Sequence, residues 1–277
     1  MKSLMTCIAM TALAGLCQAA SYFSVVDGQS PLAYYRLDNL SDNEGGSSLT
    51  LNGCSVGVST GHALTGSGGY SGFLDSNTWA TAPGNTSGTL TGVATGWSSD
   101  QGSFSYWMFN DGTGDGTQTN LISRRTGGAS SFSGSGDGMI GAYTRTNGTA
   151  GIKFDNIGLD SGSAVLTADA WNHLAFTWDR NTGTGDGTIT VYVNGSVVAS
   201  TTTATFDSFT INESRFGKEM VASSTRKFKG GVDELAIWNR TLSPTEVSAQ
   251  YTAAVPEPSS ISLIALGGLA LVYRRRR

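Results

Sequence analysis

Apolar and polar residues alternate along most of this chain, in short runs broken by glycine-rich turns. The most ordered run is residues 228–251, FKGGVDELAIWNRTLSPTEVSAQY. Val232, Leu235, Ile237 and Trp238 are its apolar positions, with Asp233, Glu234 and Asn239 between them. That is the period-two pattern of a half-buried strand. Ser243, Pro244 and Glu246 then have the spacing of a helix start: a capping serine, proline at the first helical position, and glutamate three residues after the cap. A short helix is predicted to run to about Tyr251.

The same alternation recurs upstream. In residues 103–109, Phe104, Tyr106 and Met108 alternate with Ser105 and Trp107. Residues 170–179, AWNHLAFTWD, form another strong strand. Residues 188–199 read as a hairpin around Asn194-Gly195, and residues 139–145 and 151–154 as neighbours joined through Asn147-Gly148. Residues 31–37 predict a compact strand with Ala33, Tyr35 and Leu37 on one face. Weaker candidates are one strand over 49–58, a pair within 63–74, one strand near 89–94, a short one at 121–124 and one within 206–217. Residues 127–138, almost wholly Gly and Ser, are a loop. No internal repeat is visible. The prediction is one all-β domain, a two-sheet antiparallel sandwich.

Composition agrees. Of 277 residues, 14% are charged and 38 are glycine, which suits strands joined by many polar turns. The ends differ from the body. Lys2, an apolar core over 8–16 and Cys17-Gln18-Ala19 before Ala20 have the form of a secretion signal spanning 1–19. Leu16, where a small residue would be needed, argues against lipid attachment at Cys17. At the other end Pro256-Glu257-Pro258 leads into an apolar run over 261–273 and then Arg274, Arg275, Arg276 and Arg277. This is a rigid break, a short membrane-inserting segment and a positive stop. The run is short for a permanent span of about 20 residues, and suits a temporary hold that is later processed. The domain proper is then 20–254, and the tail is 255–277.

Without Lys2 and the four terminal arginines the formal charge moves from −4 to −9. Nucleic-acid binding, which needs clustered cations, is not expected. Cys54 is the one cysteine left in the domain, so no intramolecular disulfide can form and the fold must rest on its core.

Candidate chemistry is sparse. A glycosidase needs two carboxylates about 5–10 Å apart, and the glutamates are scattered: Glu44, Glu213, Glu219, Glu234, Glu246 and Glu257. Asp233 and Glu234 are adjacent, so strand geometry sends them to opposite faces, and they read as a rim or turn contact. The two histidines, His62 and His173, lack the setting of a nucleophile or a zinc site. The expectation is a protein that is not an enzyme. Loop acids are plentiful (Asp38, Asp42, Asp75, Asp111, Asp115, Asp137, Asp155 and Asp233), and they are oxygen ligands of the kind calcium takes. Trp79, Trp97 and Trp107 are candidates for an exposed sugar-stacking surface. Trp171, Trp178 and Trp238 are expected in the core.

Several stretches carry a family resemblance. Gly231, Val232, Asp233, Glu234, Leu235, Ile237, Trp238, Asn239, Arg240, Leu242 and Ser243 form a final strand that resembles the laminin-G-like, concanavalin A-like jelly rolls. The Trp171-x-His173-Leu174-Ala175-Phe176-Thr177 and Tyr192-Val193-Asn194-Gly195 pair resembles the same family. So does residues 31–37, as its opening strand. The resemblance covers roughly 31–251 and implies a jelly-roll sandwich. It also implies one structural calcium where first and last strands meet, a region that Asp38 and Asp233 match. It leaves a carbohydrate- or matrix-binding module, a structural component without small ligand, and a divergent glycosidase as the readings to separate. The tail resembles the PEP-CTERM sorting signal, with Pro256, Glu257 and Pro258 as its motif and Arg274 to Arg277 as its stop. That resemblance implies a Gram-negative source, an exosortase-type processing enzyme as partner, and release to the cell surface or extracellular polysaccharide.

Overall fold

The structure is a computed structural model. It describes residues 21–52, 55–58, 71–74, 89–110, 116–130, 138–155, 157–180, 187–221, 226, 228 and 230–254. The expected secretion signal, the sorting tail, Cys54, His62, Trp79, Asp75, Asp111, Asp115 and Asp137 lie outside the described residues.

Two antiparallel sheets face each other. The first orders its strands as β13 (Ser196–Ala204), β12 (Gly187–Val193), β11 (Ala170–Asp179), β6 (Gln101–Asn110), β15 (Gly230–Trp238), β4 (Ser71–Leu74) and β3 (Ser55–Val58), with β1 (Ala33–Tyr35) also paired to β15. The second runs β10 (Ile157–Asp160), β9 (Ala150–Phe154), β8 (Met139–Arg145), β7 (Thr117–Arg124), β14 (Glu213–Phe216), β5 (Thr89–Thr91) and β2 (Thr50–Asn52). Phe104, Tyr106, Met108, Leu174, Phe176, Trp178, Ile189 and Val191 of the first sheet meet Leu121, Ile140, Ala142, Ile152, Phe154 and Phe216 of the second in one buried core. These are the alternate positions that the sequence pattern marked as apolar. The β12–β13 turn has Asn194 at φ 51° and Gly195 at φ 76°, the paired left-handed conformation of a two-residue hairpin.

Several expectations are corrected. The run 49–58 is not one strand but two, β2 in the second sheet and β3 in the first. Alternation cannot register such a crossing, because a strand keeps its period in either sheet. The strand at 121–124 begins earlier, at Thr117. Leu37 leaves β1 with φ 58° yet stays in the core beside Ala33 and Tyr35. Trp97 and Trp107, marked for the surface, are buried.

The larger correction concerns the outer face of the first sheet, which is not open to water. A helix absent from the sequence reading, α1 (Tyr22–Asp27), packs there with α2 (Pro244–Ala254). Tyr22, Val26, Leu242, Val247 and Ala254 cover Tyr34, Trp107, Ala175, Tyr192, Ala236 and Trp238 in a second apolar cluster. All nine residues of β15 are buried as a result.

β15 also breaks its own alternation. Asp233 pairs with Trp107 and Ala236 with Ser105, so β15 spends three residues where β6 spends two. Glu234, at φ 55°, sits in this bulge. The extra residue resets the phase: Val232, Leu235 and Ile237 reach the inner core while Ala236 and Trp238 turn to the helices. Asp233 and Glu234 are therefore no rim or turn contact, for both are fully buried.

The predicted helix start is present as read. The Glu246 N–H donates to Ser243 Oγ (3.2 Å), and the Ser243 N–H donates back to Glu246 Oε2 (2.8 Å). This capping box satisfies two backbone donors that a helix end leaves open. Ser243→Ala is expected to lower stability by about 1 kcal/mol, read as a lower urea midpoint. An unchanged midpoint would show that the helix is held by packing alone.

Candidate functional site

A recess of about 470 Å³ opens where the second sheet meets the loop after β1. One wall is Asp42, Gly46 and Ser47. The other is Thr91 to Thr95 with Asn212, Glu213, Ser214 and Arg215, and Leu32 stands at the rim. Its size falls within the range of small-ligand sites.

The walls are pinned from within. The Tyr35 hydroxyl accepts from the Ala94 N–H (3.1 Å) and donates to the Ser47 carbonyl (3.3 Å), tying one wall to the other. Asp42 Oδ1 accepts from the Tyr34 N–H (2.9 Å) and the Glu44 N–H (3.0 Å), which fixes the loop. Gly92, at φ 83°, lets β5 end against this loop; a Cβ there would lie 2.8 Å from the Ser48 carbonyl oxygen. In β14, Phe216 points into the core, so Glu213 and Arg215 project from the opposite face.

Arg124 donates to Glu213 Oε2 from Nε (2.9 Å) and Nη2 (2.6 Å) and also bonds the Ser130 hydroxyl. The Asn212 side-chain oxygen accepts from the Thr126 N–H (3.0 Å). Arg215 spends Nη1 on the Glu219 carbonyl (3.4 Å), while its Nε has no hydrogen-bond partner among the described residues. The recess thus holds hydroxyls, an amide, two carboxylates and one guanidinium. Both carboxylates are committed as acceptors, Asp42 to backbone N–H groups and Glu213 to Arg124.

The other candidates fall elsewhere. His173 is buried beneath the helices; its Nε2–H donates to Gln250 Oε1 (3.1 Å), and burial pushes its pKa down to about 3. It is a neutral packing residue, not an acid or base. Glu234 is shut off from the recess beneath the helices. The Tyr34 hydroxyl donates to its Oε2, and burial pushes its carboxyl up to about 7, against the pull of Tyr34 and Arg36. Trp171 is half-buried, and Trp178 and Trp238 are core.

Asp38 follows β1, and Asp233 lies in β15, the strand with which β1 pairs. Asp233 Oδ1 accepts from the Glu234 N–H (3.0 Å), and Asp38 pairs with Arg36 (3.5 Å). Among the described residues no three Asp, Glu, His or Cys side chains are placed to hold a metal ion. The guanidinium of Arg36 reaches both Asp38 and Glu234. As arranged, these residues do not fit a calcium shell.

Sequence reading missed the recess as a site. In the sequence Asp42 and Glu213 stand only among scattered acids, and Arg215 only as a residue of a strand end. The Glu213–Phe216 alternation places Glu213 and Arg215 on one face, but only the pairing of β14 with β5 brings them to the loop at Asp42.

Two facing antiparallel sheets of this order form a jelly-roll β-sandwich. The chain belongs to the concanavalin A-like lectin/glucanases superfamily, which it matches over residues 75–248. Residues 254–277 match the PEP-CTERM protein-sorting motif, which implies export and sorting to the cell surface by an exosortase-type enzyme. A 96-residue stretch is 33% identical to adhesion G-protein coupled receptor D1 of Bos taurus, 33% of this chain and 9% of that receptor, so the chain spans a small part of that relative. Among solved structures, domain 4 of AbnA, an extracellular arabinanase of Geobacillus stearothermophilus in complex with arabinotriose, aligns with TM-score 0.52 at 18% identity over 81% of this chain and 98% of that one. The receptor-binding domain of botulinum neurotoxin type G aligns with TM-score 0.53 at 15% identity, over 80% of this chain and 51% of that one. At such identities the likeness is one of fold.

Proposed function

We propose that this protein is an exported, non-enzymatic glycan-binding domain, and that the recess at Asp42, Thr91, Asn212, Glu213 and Arg215 takes a short segment of extracellular polysaccharide. The observation that carries the reading is the recess itself, a pinned cavity of about 470 Å³ lined by donors and acceptors suited to sugar hydroxyls. The arabinotriose named with the AbnA domain is consistent with it. Both carboxylates in the recess are engaged as acceptors, Asp42 by backbone N–H groups and Glu213 by Arg124. The sorting tail would hold the protein transiently at the inner membrane before release.

The test is a binding screen of the purified protein against glycan arrays and extracted polymers, with reducing-sugar release followed in parallel. Saturable binding to one polymer class is expected. Arg215→Ala should weaken it by about tenfold or more, the cost of one charged hydrogen bond. No binding by folded protein would overturn the reading in favour of a structural surface component. Sugar release would restore the glycosidase.

A further inference from the structure

At Glu234 the last strand changes partners. β4 pairs with β15 at Gly230, Gly231 and Val232, and β1 pairs with it at Leu235, Ala236 and Ile237. The bulge falls between the two, and the chain after β1 turns away there through Arg36 and Leu37. Three side chains meet at this corner. Arg36 Nη2 lies 3.5 Å from Asp38 Oδ2, and Arg36 Nε lies 3.7 Å from Glu234 Oε1. Glu234 is fully buried, and its Oε1 accepts no hydrogen bond from a described residue. Asp38 Oδ1 is likewise buried without a hydrogen-bond donor among the described residues. The ring of Phe23 in α1 lies 5.2 Å from the guanidinium carbon and stacks on Tyr34, whose hydroxyl holds the other oxygen of Glu234.

A buried carboxylate without a cation is strongly unfavourable. Here the cation is supplied by the chain. We infer that Arg36 is the resident cation of this corner, standing where the family resemblance places calcium, and that the domain folds without a divalent ion. The guanidinium joins Asp38 on one side of the corner to Glu234 in β15, as a bound ion would, and its contact with Phe23 ties α1 to the same point. The carboxylates it spans carry oxygens without a hydrogen-bond donor among the described residues. Removing it should leave an incomplete oxygen site that recruits a hard cation. This inference stands apart from the glycan reading.

The experiment compares thermal melts of the purified wild-type protein, Arg36→Ala and Arg36→Ala/Asp38→Asn, each with chelator and with millimolar calcium. Terbium emission sensitised by nearby tyrosine is read alongside. The wild-type Tm should not respond to calcium or chelator. Arg36→Ala should lose about 5 °C or more, recover part of that loss with calcium, and bind terbium; Asp38→Asn in that background should abolish both effects. A wild-type Tm that rises with calcium or falls with chelator would overturn the inference. So would an Arg36→Ala protein that folds but ignores both ions. If Arg36→Ala does not fold in chelator, recovery of folded protein in calcium supports the inference, and failure in both conditions counts against it.

Discussion

Trp178→Ala should remove about 3–5 kcal/mol of stability. Domains of this kind hold about 5–15 kcal/mol in all, so the variant should lose a large share of its stability. The indole is fully buried between the sheets. Its ring centre lies 5.7 Å from Trp97, 5.8 Å from Phe104 and 5.5 Å from Phe154, so the truncation opens a cavity that three aromatic rings cannot close. The opposite intrusion is also blocked, because a Cβ on Gly102 would lie 2.4 Å from the indole. Trp178→Phe should cost far less, since it keeps most of the ring and deletes an indole N–H without a hydrogen-bond partner among the described residues. Urea unfolding followed by circular dichroism decides the matter. A loss below about 1 kcal/mol for the alanine variant would mean that the core is not centred on this residue.

The second large effect is on pH dependence. His173 is enclosed by Tyr22 of α1, Trp107 of β6 and Gln250 of α2, with no charged group among these contacts. Its folded pKa is pushed by burial from 6.5 to about 3. The unfolded chain therefore takes up a proton near pH 6.5 that the folded chain refuses. The stability His173 confers is present above pH 6.5 and falls by about 1.4 kcal/mol per unit below it, or about 2 kcal/mol at pH 5. Glu234 acts with the opposite sign. Burial raises its pKa from 4.5 to about 7, so the folded chain keeps a proton that the unfolded chain releases, and stability declines as pH rises from 4.5 to 7. Tyr34, Arg36 and Asp38 face this carboxyl from β1 and the turn after it, and Tyr22 from α1.

Between pH 4.5 and 6.5 the two slopes cancel, and stability should be nearly flat. Below 4.5 the histidine slope stands alone, joined by Glu246, whose carboxyl Arg240 pulls down to about 2. Stability should then fall steeply. His173→Gln should tilt the flat region, making the variant more stable at pH 4.5 than at pH 6.5. Urea midpoints across this range read the effect directly. An imidazole titrating near pH 6.5 in the folded protein, seen by NMR, would remove its basis.

Local chemistry that depends on neighbours in sequence was legible. The Ser243–Glu246 capping box, the Asn194-Gly195 turn and the inward set Phe104, Tyr106, Met108, Leu174 and Phe176 all came through as read. Each rests on a period or a turn within a few residues. The jelly-roll class followed from the residues of the final strand.

What sequence could not decide was anything set by a distant partner. Trp107 alternates as a surface residue should, yet two helices from opposite ends of the chain bury it. The Glu234 bulge is invisible as a pattern, because one inserted residue looks like an ordinary polar pair until β6 fixes the register. The recess draws Asp42, Thr91 and Arg215 from three separate parts of the chain, and the Arg36 corner joins the first strand to the last. The sequence by itself determined the strongly alternating strands, where helix α2 starts and that the tail is a sorting signal. The tertiary structure alone decided which faces are covered, where a ligand could sit and which side chains surround the buried acid. Burial and charge pairing are properties of the assembled sheets, not of the alternation that builds each strand.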